Sequence, residues 1–416
     1  MKRALKSGLL AESSVYVAPS TFSAQSLPEI LAKLHHAISF DKKRDITLDF
    51  SKTTAAFEAG IIPILPIVAK YREKDRVNFN VKLPESSRLE SIFLESNWAY
   101  YLEPDRFELK EARSDTHRPA IRFSTPKEQF DAVDKILGLV LTASDVDRSV
   151  MKAMEWSLNE IIDNVTNHAG KNSSGFVQST WFKNSKLIEF VVADGGIGIA
   201  KSLRINDHRV ALEQAVQEGV TRNKSTNQGN GLFGSYRIAA NSHGSFNIFS
   251  GFATLSLKND GSFKISESKI PYRGTVVRWS MRTDSVDVLQ KALVIGGRPV
   301  DTALDYMERV YEAAGGSFSI SVKNKFVTLG SRIAGKSAST YIRNILFNTD
   351  ISSVTLDFAG VSVISSSFAD EVFGKLFAEI GPISFMGRVK FINANSEVLA
   401  IIDRAIIQRS GMKPQG

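Results

Sequence analysis

Two stretches of the chain repeat one pattern of hydrophobic and polar positions. DITLDF (45–50) and SVTLDF (353–358) each read as a β-branched strand ending in Leu-Asp-Phe, with Leu48 and Leu356 308 residues apart. A short polar connection and an apolar helix follow each, within 45–72 and 353–379. Next come a second strand, VNFNVKL (77–83) or VKFINA (389–394), and an amphipathic helix, SRLESIFLES (87–96) or SEVLAIIDRAI (396–406). The spacing becomes 312 between Val77 and Val389, the drift expected of loop-length change between two copies of one fold. This element order predicts an α/β unit with a largely buried sheet in each copy. Chance likeness between two ordinary βαβ units is the alternative.

The segment between the copies has a different pattern. Residues 126–144 are amphipathic, and 145–170 form a long helical pattern that stops at Gly170, a natural C-cap. An alternating hairpin follows (175–182 and 186–194), then a polar, glycine-punctuated stretch (195–231) and a short helix (232–243). Four short strands are expected after it: GSFNIFS, FATLSLKN, GSFKISES and GTVVRWSMR, the last ending at 282. Helices first and a meander after them predict an α+β layer. On the 145–170 helix, Met151, Met154, Leu158, Ile161, Ile162 and Val165 recur at helical spacing and form the core face. Glu160, Asn164 and His168 fall at i, i+4 and i+8 on an adjacent stripe, with Asn167 beside it. Such a stripe alone is also what a solvated helix face gives.

Composition narrows the class. The chain has 416 residues, 43% hydrophobic and 23% charged, as in ordinary globular protein with room for several domains. The net charge of +8 is a mild excess that permits acidic partners or phosphates without arguing for nucleic acid. With no cysteine, disulfides and zinc-finger spacings are excluded, which fits a reducing cytoplasm. The apolar stretch after the basic N-terminus is too short for a signal peptide. The most apolar run, 59–69, is short and carries Pro63 and Pro66, which does not suit a membrane span. A cytoplasmic protein without a membrane segment is expected.

Two glycine motifs add chemistry to the polar helix. ADGGIGI (193–199) places Asp194 at a strand end before Gly195, Gly196 and Gly198, where glycine lets the backbone turn tightly and approach a ligand. An Asp there can accept a hydrogen bond from an exocyclic amine such as that of adenine. QGNGLFGSYR (228–237) places Gly229 and Gly231 before a helix start, where free N–H groups and the helix dipole favour phosphate. Each motif alone is weak, since glycine clusters usually mark plain turns. Their order is more specific: Glu-x-x-x-Asn-x-x-x-His (Glu160, Asn164, His168), Asp-x-Gly-x-Gly (Asp194, Gly196, Gly198), Gly-x-Gly-Leu (Gly229, Gly231, Leu232), and a last strand entered through Gly274 and Thr275. This succession, over roughly 120–283, resembles the GHKL ATPase superfamily of gyrase, Hsp90, histidine kinases and MutL. The Glu–Asn–His spacing is closest to the anti-sigma-factor serine kinases.

The resemblance implies a Bergerat α/β sandwich that binds ATP with Mg²⁺. Asn164 would offer its amide oxygen to Mg²⁺, Asp194 would recognise the adenine amino group, and Thr275 would support the adenine end. Gly229 and Gly231 would hold phosphates. Glu160 would be the general base, on a water in an ATPase or on a hydroxyl in a kinase. His168 and Leu232 match the family pattern without a derivable role. Residues 200–228 would be the lid, with Arg222 and Lys224 available to phosphates or simply solvated. None of the six histidines has the sequence context of a sensor-kinase phospho-acceptor, so a histidine autokinase is not expected.

The C-terminal copy, roughly 315–408, resembles STAS-like domains of the anti-sigma-factor-antagonist type; the N-terminal copy, 14–103, looks like a diverged relative, and 284–314 reads as a linker. In the antagonist family a serine at the start of the helix after this strand is phosphorylated, and Ser366 is the positional match. Ser365 and Phe368 replace the family's Asp and Gly, and a helix cap built from Ser367 with Asp370 is the competing reading. The expected architecture is therefore an α/β and α+β multidomain chain, a central Bergerat-type sandwich between two STAS-like domains. The expected function is a Mg²⁺-dependent ATPase switch controlling a protein partner through the STAS-like domains. The alternatives are a serine/threonine kinase acting on Ser366 in cis or on a partner in trans, and a non-catalytic nucleotide-binding scaffold. A homodimer is common among GHKL proteins. A DNA-acting role has no support from a transducer domain or an aromatic-interleaved basic tract.

Overall fold

The structure is a computed structural model, described over residues 14–110, 119–143, 146–168, 174–220, 231–285, 288–295, 298–299, 317–326, 328–348 and 351–410. The N-terminal unit contains β1 (Ser14–Val17), α1 (Leu27–His35), β2 (Asp45–Asp49), α2 (Glu58–Asp75), β3 (Asn78–Lys82), α3 (Ser87–Glu95) and α4 (Trp98–Leu102). Its sheet is parallel with β2 in the middle.

The central unit begins with β4 (Ile121–Phe123), α5 (Pro126–Ala143) and α6 (Arg148–His168). The hairpin β5 (Gly175–Phe182) and β6 (Leu187–Asp194) follows, then α7 (Ile199–Leu203), α8 (His208–Ala215) and α9 (Gly231–Asn241). It closes with β7 (Ser245–Leu257), β8 (Phe263–Arg282) and α10 (Val288–Ala292). The C-terminal unit holds β9 (Ser317–Ser321), α11 (Arg332–Asn348), β10 (Ser353–Asp357), α12 (Ser366–Ala369), α13 (Pro382–Arg388), β11 (Val389–Ile392) and α14 (Ser396–Ser410). Helix α12 runs on through a π-helical turn, Asp370–Gly374, into Lys375–Ile380.

The two copies share topology. β9, β10 and β11 also form a parallel sheet with the Leu-Asp-Phe strand in the middle. The equivalence reaches single bonds. Phe50 N donates to Lys82 O and Phe358 N to Ile392 O; Thr53 N donates to Phe50 O and Val361 N to Phe358 O. Both leucines and both phenylalanines are fully buried. Each aspartate ties down the turn after its strand: Asp49 Oδ1 accepts from Ser51 N, and Asp357 Oδ1 from Ala359 N. Leu and Phe anchor the strand end, and Asp satisfies the turn's free N–H groups.

The central sheet is antiparallel throughout, in the order β4-β5-β6-β8-β7. Where four short strands were expected after α9, there are two long ones. GSFNIFS and FATLSLKN fuse into β7, which turns at Gly251 with φ +58°. GSFKISES and GTVVRWSMR fuse into β8, with register shifts on either side of Tyr272. A glycine or bulge inside a strand bends it without ending its pairing.

Both faces of this sheet are covered. On one, α5, α6 and α9 share a core with Ile188, Phe190 and Val192 of β6 and Val277, Trp279 and Met281 of β8. The other face, including Phe176, Val191, Ala193 and Val276, packs on the N-terminal unit. That explains the apolar run in α2. Every residue from Gly60 to Ala69 is buried, because the helix lies between its own sheet and the central one. Polar bonds fix the docking: Tyr272 Oη donates to Pro63 O at 2.9 Å, Trp98 Nε1 to Gln178 Oε1 at 2.7 Å, and Thr180 Oγ1 to Glu58 Oε1 at 2.7 Å.

The C-terminal unit joins the helical side. Helix α11 packs on α5, and Asn344 Nδ2 donates to Leu141 O at 2.6 Å. Within the expected linker 284–314, α10 packs on α6 and α9, burying Val288, Ala292 and Leu293. Its residues 286–287, 296–297 and 300–314 lie outside the described residues. Among the described residues no helix is long and apolar enough to cross a membrane.

Candidate functional site

Strand alternation sets the direction of Asp194. It shares parity with Ile188, Phe190 and Val192, whose side chains enter the helical-side core, so its carboxyl faces that side too. Asp194 is only 4% exposed. Its Oδ1 accepts from Gly196 N at 2.7 Å, and the N–H of Thr275 also reaches the carboxyl. Burial pushes this carboxyl up to about 7, against the opposing pull of those two N–H groups and the Lys70 charge.

The strand ends align polar groups in a row. Thr275 stands opposite Asp194 on one side and Ser250 on the other. Ser250 Oγ donates to Gly274 O at 2.8 Å, accepts from Ile199 N at 2.9 Å and lies 3.3 Å from Thr275 Oγ1. It staples the Gly195–Gly198 turn to β8. Two glycines are required by this packing. Gly198 has φ +77°; Gly274 has φ +137°, and a Cβ there would sit 2.0 Å from Asp194 O.

A second cluster forms where α6 meets α9. Gly231 is the first residue of α9, and a Cβ on it would lie 2.2 Å from Glu160 Oε2. Gly234, one turn on, lies against the Trp156 ring, where a Cβ would be 2.2 Å from Cη2. Small residues at both positions let the two helices close on the carboxylate. Burial raises the Glu160 carboxyl to about 7, and the nearby Asp163 charge adds to the rise. Asn164 Nδ2 donates to Glu160 O at 2.7 Å. A carbonyl can only accept, so the amide nitrogen is committed to the helix and Oδ1 is the atom available to a ligand.

The structure thus gathers Asp194, Gly196, Gly198 and Thr275 at the end of β6 and β8, and Glu160, Asn164 and Gly231 at the α6–α9 contact. Both clusters lie on the helical side of the sheet. Leu232 packs beside the core as a partly buried side chain. The side chains of Asn167 and His168, and residues Gly170, Arg222, Lys224 and Gly229, lie outside the described residues. Asp163, which had no assigned role, accepts from Gln129 Nε2 of α5. Ser250 was missed. A polar residue at the inward parity of Phe246 and Ile248 was the signal that could have found it.

At α12 the capping residue differs from the expected one. Ser365, not Ser367, is the N-cap, with Oγ accepting from Phe368 N at 3.1 Å. Asp370 pairs instead with Arg409 of α14, at 2.7 and 2.8 Å. A bidentate guanidinium outcompetes a cap three residues further back. Ser366 is the first helical residue and is exposed.

Residues 345–399 match the family described as a STAS-like domain of unknown function (DUF4325). This stretch runs from the end of α11 into α14 and contains the second Leu-Asp-Phe strand and Ser366. No GHKL ATPase family matches the chain. No curated protein matches it either.

Proposed function

We propose that the central unit is a Bergerat-type domain that binds Mg²⁺–ATP, and that the protein is a nucleotide-driven switch acting on a protein partner through its STAS-like unit. One observation carries this reading: the buried Asp194 carboxyl at the end of β6, beside Thr275 with Ser250 beyond it, and followed by a glycine turn that only glycine can make. A carboxyl so buried is costly unless something uses it. An exocyclic amine would supply the donor that makes its charged form favourable.

The residues fit the rest of the ligand. Asn164 Oδ1 suits a hard cation that takes its remaining ligands from phosphate oxygens and water. Held there, the ion would supply charge neutralisation of the phosphates. Glu160, held near neutrality at about 7, suits proton transfer at physiological pH. Gly231 leaves the room that keeps its carboxylate against α9. Closure of the nucleotide site would be felt by both flanking units, because α5 carries α11 on its far side and the β6 turn touches α2.

Kinase action on Ser366 is the second reading, favoured by its exposure on the first turn of α12. Incubation with γ-labelled ATP separates the two. Free phosphate on an unlabelled chain supports the switch, label lost in Ser366→Ala supports the kinase, and retained nucleotide with neither product supports a scaffold.

A further inference from the structure

A cavity of about 500 Å³ lies at the seam between the N-terminal and central units. Neither Asp194, Glu160 nor Asn164 lines it. Its wall comes from α2, the Gly196–Gly198 turn with the start of α7, Ser250 and the bend at Gly251, and the bulged segment of β8. Lys70, Lys201 and Arg273 line it, and no carboxylate does. Among the described residues none of these three cations has a salt-bridge partner; Lys70 Nζ donates to Gly195 O at 2.6 Å, and Arg273 lies 3.4 Å from His35 Nε2.

Positive charge predominates here, with Asp194 and Asp75 the carboxylates whose charge reaches Lys70. Burial lowers the Lys70 ammonium from its usual range, and Lys74 and Arg273 lower it further. Arg273 also helps burial to lower His35. His208 lines the cavity as well, and its Nδ1 is buried with no hydrogen-bond partner. The apolar side of the wall includes Phe252, an aromatic ring left 46% exposed. Like charges gathered in a concave, partly desolvated space are stabilised by an anion.

We propose that this seam cavity is a binding site for a small organic phosphate of about mononucleotide size, separated from the nucleotide site proposed above by the Gly196–Gly198 turn and Ser250, which border both. Its phosphate is held by Lys201, Arg273 and Lys70, and its apolar part lies against Phe252. Because Lys70 belongs to α2 while Lys201 and Arg273 belong to the central unit, the ligand ties the two units together. The size is within the usual range for small-molecule sites, about 300–1,000 Å³.

The test uses inorganic pyrophosphate as the probe, titrated calorimetrically into the full chain without magnesium. Binding to the wild type is expected, weakening by at least tenfold in the double variant K201Q/R273Q and unchanged in Asn164→Ala. Binding raises the melting temperature of the wild type and not of the double variant. Lys201 is exposed. If the double variant fails to fold, Lys201→Glu alone must therefore give the tenfold loss. No binding to the wild type overturns the proposal, and so does unchanged affinity in the lysine and arginine variants. Binding lost in Asn164→Ala but kept in K201Q/R273Q assigns pyrophosphate to the other site and also overturns it. The proposal does not depend on ATP binding, so failure of either leaves the other standing.

Discussion

Asp194→Asn should stabilise the empty protein above neutral pH while damaging nucleotide binding. The unfolded carboxyl titrates near 3.8 and the folded one near 7. The folded chain therefore holds this proton more tightly than the unfolded chain. Its contribution to stability is complete below 3.8 and is lost as pH rises to about 7. Over that window the loss amounts to roughly 4 kcal/mol. Asparagine keeps an oxygen for Gly196 N and Thr275 N but has no proton to lose. Urea unfolding at a series of pH values, read through tryptophan fluorescence, to which Trp156, Trp181 and Trp279 of the central unit contribute, should show a shallower decline in the variant by about this amount. Glu160, raised from 4.5 to about 7, leaves a residual decline of roughly 3 kcal/mol in both proteins. A slope unchanged by the substitution would show that the buried carboxyl is not titrating as described. A variant less stable than wild type at pH 8 would refute the reasoning outright.

Other expectations follow from single contacts. Gly231→Ala forces a methyl group into the Glu160 carboxylate, and about 1–3 kcal/mol of stability should be lost in thermal unfolding. Lys70→Met removes the bond to Gly195 O and should loosen the N-terminal unit, seen as faster limited proteolysis before residue 120 in the variant. Glu160→Gln should lower ATP turnover about 100-fold or more with little change in ATP affinity, measured by phosphate release and equilibrium binding. Trp98→Phe removes the buried hydrogen bond from Nε1 to Gln178 Oε1 and should cost about 1 kcal/mol in urea unfolding.

The features legible in the sequence are those with local causes. Leu48-Asp49-Phe50 and Leu356-Asp357-Phe358 announce a repeat because each residue does its work within a few positions: two anchors and one turn acceptor. Gly198 and Gly274 stand out because only glycine tolerates their backbone angles and close approaches. The features that were not legible depend on distant partners. The apolar run of α2 looked like an ordinary core helix with two prolines, and nothing local says that a second sheet covers its other face. Fusion of four short strands into β7 and β8 needed the bends at Gly251 and Tyr272, which in sequence look like strand ends. Ser365 takes the cap because Arg409, 39 positions away from Asp370, draws that carboxylate off. Ser250 hid because one serine in a strand is unremarked until its parity with Phe246 and Ile248 is counted.

The claim that the central unit is a nucleotide site meets its most direct test in equilibrium titration of ATP into the full chain, with and without magnesium. The account predicts saturable binding strengthened by magnesium, weakened at least tenfold by Asp194→Asn in either condition and by Asn164→Ala when magnesium is present. No binding by the wild type, or the same affinity in both variants, would contradict it.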